Sequence, residues 1–331
     1  MNDAPTVLMF YDGYERKARE NILPRTYHAL RCTARAAVRR MRGQQVNTGF
    51  YEAFLAVVKG LGQLGCKVRI NDYAAARKNP DYPIGLAGYP EVIEQVRLTN
   101  PIIFGPGDPG YPDVAGRLAK SANVKHIIQP SDWYVQFYEP FCPGKMLRCP
   151  VGIDLDAIAE PTGPKSIDVL IYDKIRWHRK SVGSAVRDRL IKACEDRGLS
   201  YKVLRYGHHT QQSYFATLAK SRSMAFLCEH ETQGLACEEA LAMNVPVFAW
   251  DEGRLIDPLQ QPFASADLRP SSVPYFDERC GMVFTINDME DRLDLFLAGL
   301  PDYLPRSYVA EILRPSETAR VYLDAYSRYL P

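Results

Sequence analysis

Short apolar runs separated by longer amphipathic stretches recur along the whole chain. In the first half, Thr6 to Tyr11, Lys67 to Ile70, Pro101 to Phe104, Val124 to Ile128 and Met146 to Cys149 have the length and composition of buried strands. In the second half the same holds for Asp168 to Tyr172, Tyr201 to Tyr206, Met224 to Cys228, Val245 to Trp250 and Met282 to Phe284. The intervening segments carry helical spacing. They are the stretch after Asn47-Thr48-Gly49-Phe50, the one after Pro130-Ser131-Asp132-Trp133, Ser181 to Gly198, Gln211 to about Ser221, Gly234 to Met243 and Asp288 to Leu300. A last helix is predicted over Ser316 to Leu330, with Ser316 as its cap. This alternation predicts an α/β protein whose mostly parallel, doubly wound sheet recurs in each half. Ala159 to Ser166, polar and proline-bearing, reads as a linker near the middle.

The most informative stretch runs from Phe226 to Asp251. It reads as strand, sharp loop, helix, turn and second strand, with Asn244 at a position that tolerates a left-handed backbone and Pro246 beyond the helix. Glu231 lies before the helix and Glu239 within it, with seven residues between them. Both carboxylates can face the carboxyl edge of the sheet, where the Gln233, Gly234 and Leu235 amides at the helix N-terminus point. Carboxylates accept from sugar hydroxyls and amides hold an anion, so the pattern suits a hydroxylated ligand carrying phosphate.

A cationic loop follows the Asp168 to Tyr172 run and holds Lys174, Arg176, Arg179 and Lys180, with His178 among them. Positive charge at a helix start opposes the helix dipole, which favours neutralisation of a diphosphate over a merely solvated turn. A second basic region, the insertion 12–45, carries Arg31, Arg35, Arg39 and Arg42 at helical spacing. Contact of segment 16–42 with an anionic membrane and a solvated helix face are both readings of it. Gly49, ahead of its helix, reads either as a point of close ligand approach or as a plain N-terminal turn. Asp108, in the rigid GPGDPGYPD loop after a strand, is an acceptor-side candidate.

Composition narrows the classes. The 331 residues suggest two domains, and 46% hydrophobic content allows a sizeable core. A net charge of +2 and basic residues without interleaved aromatics argue against nucleic acid. Eight scattered cysteines without a C-x-x-C pair read as reduced core residues of a cytoplasmic protein. No secretory leader is expected, and no apolar run approaches the roughly 18 residues of a membrane span. His208, His209 and His230 with Cys228 lack paired ligand spacing, so no metal site is expected. There is no G-x-S-x-G elbow and no G-x-x-x-x-G-K-[ST] loop.

On these residues the chain resembles the GT-B-fold glycosyltransferases, most closely the retaining group that includes family 4. E-T-Q-G-L-A-C-E-E-A places Glu231 and Glu239 at that family's E-x7-E positions, although Thr232 and Gln233 depart from its usual loop. Val151-Gly152-Ile153-Asp154 is similar to the family's N-G-I-D junction. Lys174 and Arg179 occupy the places of its arginine and lysine. The resemblance implies two Rossmann-like domains facing a cleft: an acceptor domain over 1–150, a donor domain over 151–306, and a helix over 307–331 packing back on the first.

It further implies that Glu231, Lys174 and Arg179 are catalytic. Glu239 would bind ribose, Thr232, Gln233, Gly234 and Leu235 the sugar and diphosphate, and Tyr206 and Gly207 would lie near the base, with Arg176 and Lys180 also on the donor. The implied donor is a nucleoside-diphosphate sugar, most often a UDP-sugar. The acceptor is a glycan or lipid-linked molecule, transfer retains anomeric configuration, and no cofactor or metal is required. A non-catalytic nucleotide-sugar-binding partner subunit and a sugar-nucleotide epimerase are the alternatives. The expected location is cytoplasmic, at the inner membrane face if the basic segment binds lipid.

Overall fold

The computed structural model describes residues 5–18, 22–41 (backbone only at 22–25, 28 and 40) and 46–331. Arg19, Arg42 and Gln45 of the basic insertion, and the Arg25 and Arg40 side chains, lie outside the described residues. The chain divides into two compact units, one formed by Met1–Gly152 with Arg314–Pro331, the other by Ile153–Leu313. Each contains one all-parallel sheet among the described residues. Ala159 to Ser166 is irregular, and it lies inside the second unit rather than between the two.

The first sheet contains β1 (Thr6–Asp12), β2 (Lys67–Ile70), β3 (Ile84–Gly88), β4 (Ile102–Gly107), β5 (Val124–Gln129) and β6 (Met146–Arg148), in the order β2-β1-β3-β4-β5-β6. On one face, Val7, Met9 and Tyr11 of β1 pack with Phe54, Val57 and Leu61 of the Gly49–Gln63 helix and with Ala319, Tyr322 and Tyr326 of the Pro315–Ser327 helix. The last helix is therefore part of the first core. Tyr326 fastens it: its hydroxyl accepts from Leu8 N–H at 2.9 Å and donates to the Pro83 carbonyl at 2.5 Å. This helix starts one residue before Ser316. Pro315 stands in its first turn, where a missing N–H costs nothing, and Arg314 takes the cap position with no side-chain bond.

Strand β3 is absent from the apolar runs read above, and packing explains why. A Cβ at Gly85 would collide with the Tyr322 hydroxyl and the Met9 sulfur, so a central strand here is written in small residues. The Ile22–Met41 helix also departs from the cationic-face reading. Arg35 and Arg39 are half-buried, whereas Leu30 and Met41 are exposed.

The second sheet contains β7 (Ile167–Asp173), β8 (Tyr201–Arg205), β9 (Ser221–Leu227), β10 (Val247–Trp250) and β11 (Gly281–Phe284), in the order β11-β10-β9-β7-β8. Alternation along the strands divides the core. Leu170, Tyr172, Met224 and Phe226 join the Leu235–Ala242 helix on one face. Val169, Ile171, Ala225 and Leu227 join Leu190, Phe248 and Phe296 on the other. The stretch Ser181 to Gly198 is helical in three pieces, with a wide π-type turn over Ser184–Asp188. The chain leaves β7 toward β8 on one side, then returns to β9 on the other, so β7 and β9 flank a topological switch point.

Candidate functional site

Ligands of open parallel sheets lie beyond the carboxyl ends of the strands at such a switch point. Here the chain places four ionic side chains. Asp173 ends β7 and Lys174 follows it, with Lys174 N–H donating to the Leu227 carbonyl at the end of β9 at 2.9 Å. Four residues after β9, Glu231 is buried, and its carboxylate forms a close ion pair with Lys174. Arg176 Nη2 reaches the same carboxylate oxygen at 3.2 Å, and Cys228 Sγ donates to it at 3.2 Å.

Burial alone would push the Glu231 carboxyl up, but the Lys174 ammonium and the Arg176 guanidinium more than offset it and hold it below the usual carboxylate range. Lys174 is raised in turn: burial opposes its charge, and the Glu231 carboxylate outweighs burial. The site is thus an ionised carboxylate with two cations. The Lys174 ammonium also lies 4.6 Å from the centre of the Tyr206 ring.

Directly after Glu231 the backbone turns into the Leu235–Ala242 helix through Gly234, whose φ of +94° is one that side-chain-bearing residues rarely adopt. Glu231 N–H donates to the Ser271 carbonyl, which fixes the loop from the other side. The first N–H groups of a helix have no partner within it, so this end is an anion-binding position beside the Glu231 cluster. One turn into the helix, Glu239 is half-buried and accepts from Gln211 Nε2 at 3.0 Å.

No known family profile matches the chain, and no curated protein sequence does. Solved structures match it. Sucrose-phosphate synthase from Thermosynechococcus elongatus superposes with a TM-score of 0.58 at 12% identity, covering 98% of this chain and 98% of that one. A glycosyltransferase from Rickettsia africae gives 0.54 at 11%, covering 99% of each chain. The catalytic domain of starch synthase IV from Arabidopsis thaliana, solved with ADP and acarbose, gives 0.52 at 10%, covering 86% of this chain and 79% of that one. Two parallel sheets with alternating helices are common to this chain and these neighbours.

The chain has the GT-B fold.

Against the longer proteins TarM and the pneumococcal O-GlcNAc transferase GtfA, both at a TM-score of 0.50, the chain spans 57% and 60% of their lengths. Within its GT-B second unit, the structure brings together most of the residues singled out from sequence. Glu231, Lys174, Arg176 and Tyr206 form one cluster, with Gly234 and Leu235 at the adjoining helix start. Thr232 and Lys180 are exposed nearby in the chain, and Gly207 follows Tyr206 with φ of +78°.

Arg179 does not join this cluster. Its guanidinium forms a close ion pair with Asp173 and donates to the Ile175 carbonyl at 2.8 Å. Asp173 is buried and draws in Arg187 as well, at 3.2 Å. Burial would raise that carboxyl, and the two guanidiniums together with the Ile175 N–H hold it low. Arg179 thus compensates a buried charge at the strand end, and Arg176 takes the place beside Glu231. In the first unit, Gly49 is the first residue of a helix that Thr48 caps, and a Cβ there would meet nothing within 4 Å. The space beside Gly49 is thus open. Asp108 closes its own loop by accepting from Gly110 N–H at 2.8 Å. Among the described residues no group of three or more His, Cys, Asp or Glu is placed to hold a metal, and no helix is long and apolar enough to cross a membrane.

Three residues of the site have roles that the sequence reading did not assign them. Glu229 is buried, and its carboxylate accepts from Arg176 N–H at 3.1 Å and Trp177 N–H at 3.0 Å, pinning the cationic loop to the end of β9. The signal was available as a second carboxylate two residues before Glu231. Glu238 is 1% exposed and accepts from Gln233 Nε2 at 2.9 Å, while burial pushes its carboxyl well above the usual range. It lies three residues before the buried Leu241, which puts it on the packed side of the helix.

The third is His230, stacked on Trp177 with ring centres 4.8 Å apart. Burial, aided by the Arg176 charge, lowers its imidazole from 6.5 to about 4. The unfolded chain therefore takes up this proton at a pH where the folded chain does not. Stability from His230 is complete above about pH 6.5 and falls as the pH drops toward 4, by about 3 kcal/mol in all. His230→Phe, which keeps a ring on Trp177, should flatten that part of the profile. Urea unfolding of both proteins at neutral and mildly acidic pH measures the difference.

Proposed function

We propose that this chain is a glycosyltransferase that moves a sugar from a nucleoside-diphosphate sugar to a glycan or lipid-linked acceptor, with retention of anomeric configuration. The observation that carries this reading is the Glu231 carboxylate held by Lys174 and Arg176 beside the Gly234 helix start, at the switch point of a GT-B second unit. Glu231 receives hydroxyls of the donor sugar. Lys174 and Arg176 stabilise charge that develops on the departing diphosphate, and amides of Gly234 and Leu235 take a phosphate oxygen. Glu239 binds the ribose hydroxyls, and Tyr206 and Gly207 lie by the base. With two fixed cations on the diphosphate, transfer proceeds without a metal.

Uridine is the proposed base; the starch synthase neighbour was solved with ADP, and GtfA with UDP and GlcNAc. The acceptor binds the first unit on the side of Gly49 and Asp108, and segment 16–42 contacts an anionic membrane.

Thermal shift with UDP, GDP, ADP and CMP tests the donor assignment. A nucleotide that binds only the folded state, at about a hundredfold over its Kd, should raise the melting temperature by roughly 5 °C or more. A flat response to all four would remove the donor reading. A second reading, nucleotide-sugar binding without transfer, draws on the buried Gln233–Glu238 pair in a loop that departs from the family pattern. Slow nucleotide release from the sugar donor in the absence of acceptor distinguishes an enzyme from such a binder.

A further inference from the structure

The Ile22–Met41 helix carries five arginines and no acidic residue. Cys32, Arg35, Ala36 and Arg39 are half-buried on its inner side. Cys32 Sγ donates to the Tyr14 carbonyl at 3.1 Å, and the Arg35 guanidinium lies 4.9 Å from the centre of the Tyr14 ring. On the opposite side, Leu30, Ala34, Val38 and Met41 follow one another at helical spacing, and all are exposed. Leu30 is 73% exposed and Met41 79%. Single exposed apolar side chains are ordinary, but an aligned row of them on a surface helix is unusual without a covering partner.

We propose that this row docks on an anionic lipid bilayer, with the helix lying in the membrane plane. Leu30, Val38 and Met41 enter the boundary between headgroups and acyl chains. Arg31, exposed next to Leu30, meets the headgroup phosphates. Charge selects the occupant. The sequence of the helix holds five arginines and no acidic residue, so a second copy would meet like charge, whereas an anionic surface attracts it. The inference deepens the membrane contact proposed above, and it is independent of the donor chemistry in the second unit.

Co-sedimentation of the full chain with phosphatidylcholine vesicles, with and without phosphatidylglycerol, tests it in the absence of any nucleotide. The chain should partition onto the phosphatidylglycerol vesicles. Leu30→Gln together with Met41→Gln should lower that partition roughly tenfold or more, since each side chain loses apolar burial. Arg31→Gln should lower it roughly fivefold. These side chains are exposed, so the variants should keep the circular dichroism spectrum and the melting temperature of the parent. Loss with Arg31→Gln but none with the Leu30 and Met41 pair would mean surface attraction without insertion, and would overturn the proposal. So would absence of vesicle binding in a chain whose self-association the Leu30 and Met41 changes abolish, because the row would then join two copies. Failure of the donor reading would show instead as a flat nucleotide thermal shift, which leaves the vesicle result untouched.

Discussion

Glu231→Gln should lower nucleotide release from the sugar donor by at least roughly a hundredfold while leaving nucleotide affinity close to that of the parent. The size follows from losing a preorganised charged group at the reacting centre, which typically costs a factor of about 10² to 10³. Affinity is spared because the ribose and phosphate contacts proposed for Glu239, Gly234 and Leu235 do not involve Glu231. The same change removes the anion from a site where the Lys174 side chain is only 11% exposed. An uncompensated buried cation costs on the order of 3–5 kcal/mol, so the variant should also melt earlier.

The double variant Glu231→Gln with Lys174→Met separates the two effects. Removing the buried Lys174 charge along with Glu231 should restore much of the stability, because the cation that remains, Arg176, is 38% exposed and stays solvated. Activity should stay low. Release assays and melting curves on parent, single and double variants measure both quantities, and unchanged turnover in Glu231→Gln would sink the catalytic role.

Gly60→Ala should destabilise the first unit by about 2 kcal/mol, although alanine is the better helix former. Within the Gly49–Gln63 helix the exchange gains about 1 kcal/mol of propensity. Against this, the new methyl would sit 2.6 Å from Ala319 Cβ and closer still to the Pro315 carbonyl oxygen. The carbonyl belongs to backbone, which cannot rotate aside as a flexible side chain would, and overpacking of this kind costs roughly 1–3 kcal/mol or more. Gly62 provides the control, since a methyl there meets nothing within 4 Å, and Gly62→Ala should stabilise by up to about 1 kcal/mol. Thermal unfolding of the two variants should therefore move in opposite directions. Equal stabilisation by both would show that the two helices are not in close contact at Gly60.

The strands were legible because parallel strands buried on both faces are written as continuous apolar runs, and β7, β9 and β10 have that form. β3 was not legible. The reason for Gly85 is Tyr322, more than two hundred residues away in the sequence. The Glu231 loop was legible from local chemistry: a carboxylate, a glycine and the start of a helix.

Which arginine meets Glu231 was not. The segment from Lys174 to Lys180 offers several cations at short spacing, and two buried carboxylates sort them, one of them more than fifty residues from Arg176 and the other immediately before the segment. Glu229 holds the backbone at Arg176 and Trp177, and buried Asp173 captures Arg179. The start of the last helix was missed for a local reason. Ser316 has the chemistry of a cap, but Pro315 is preorganised for the first turn and moved the boundary back.

The Pro315–Ser327 helix sets an order of assembly. A ribosome delivers β1 to β6 first, yet Ala319, Tyr322 and Tyr326, which cover part of their core, are delivered last. Until then the face of the sheet carrying Val7, Met9 and Tyr11 lacks these three side chains, and Leu8 N–H lacks the Tyr326 hydroxyl. The second unit, contiguous from Ile153 to Leu313, has all of its residues before the first has its own. During synthesis, the half of the protein made first is thus the half finished last. Through that interval an incompletely covered apolar face is a point of aggregation hazard.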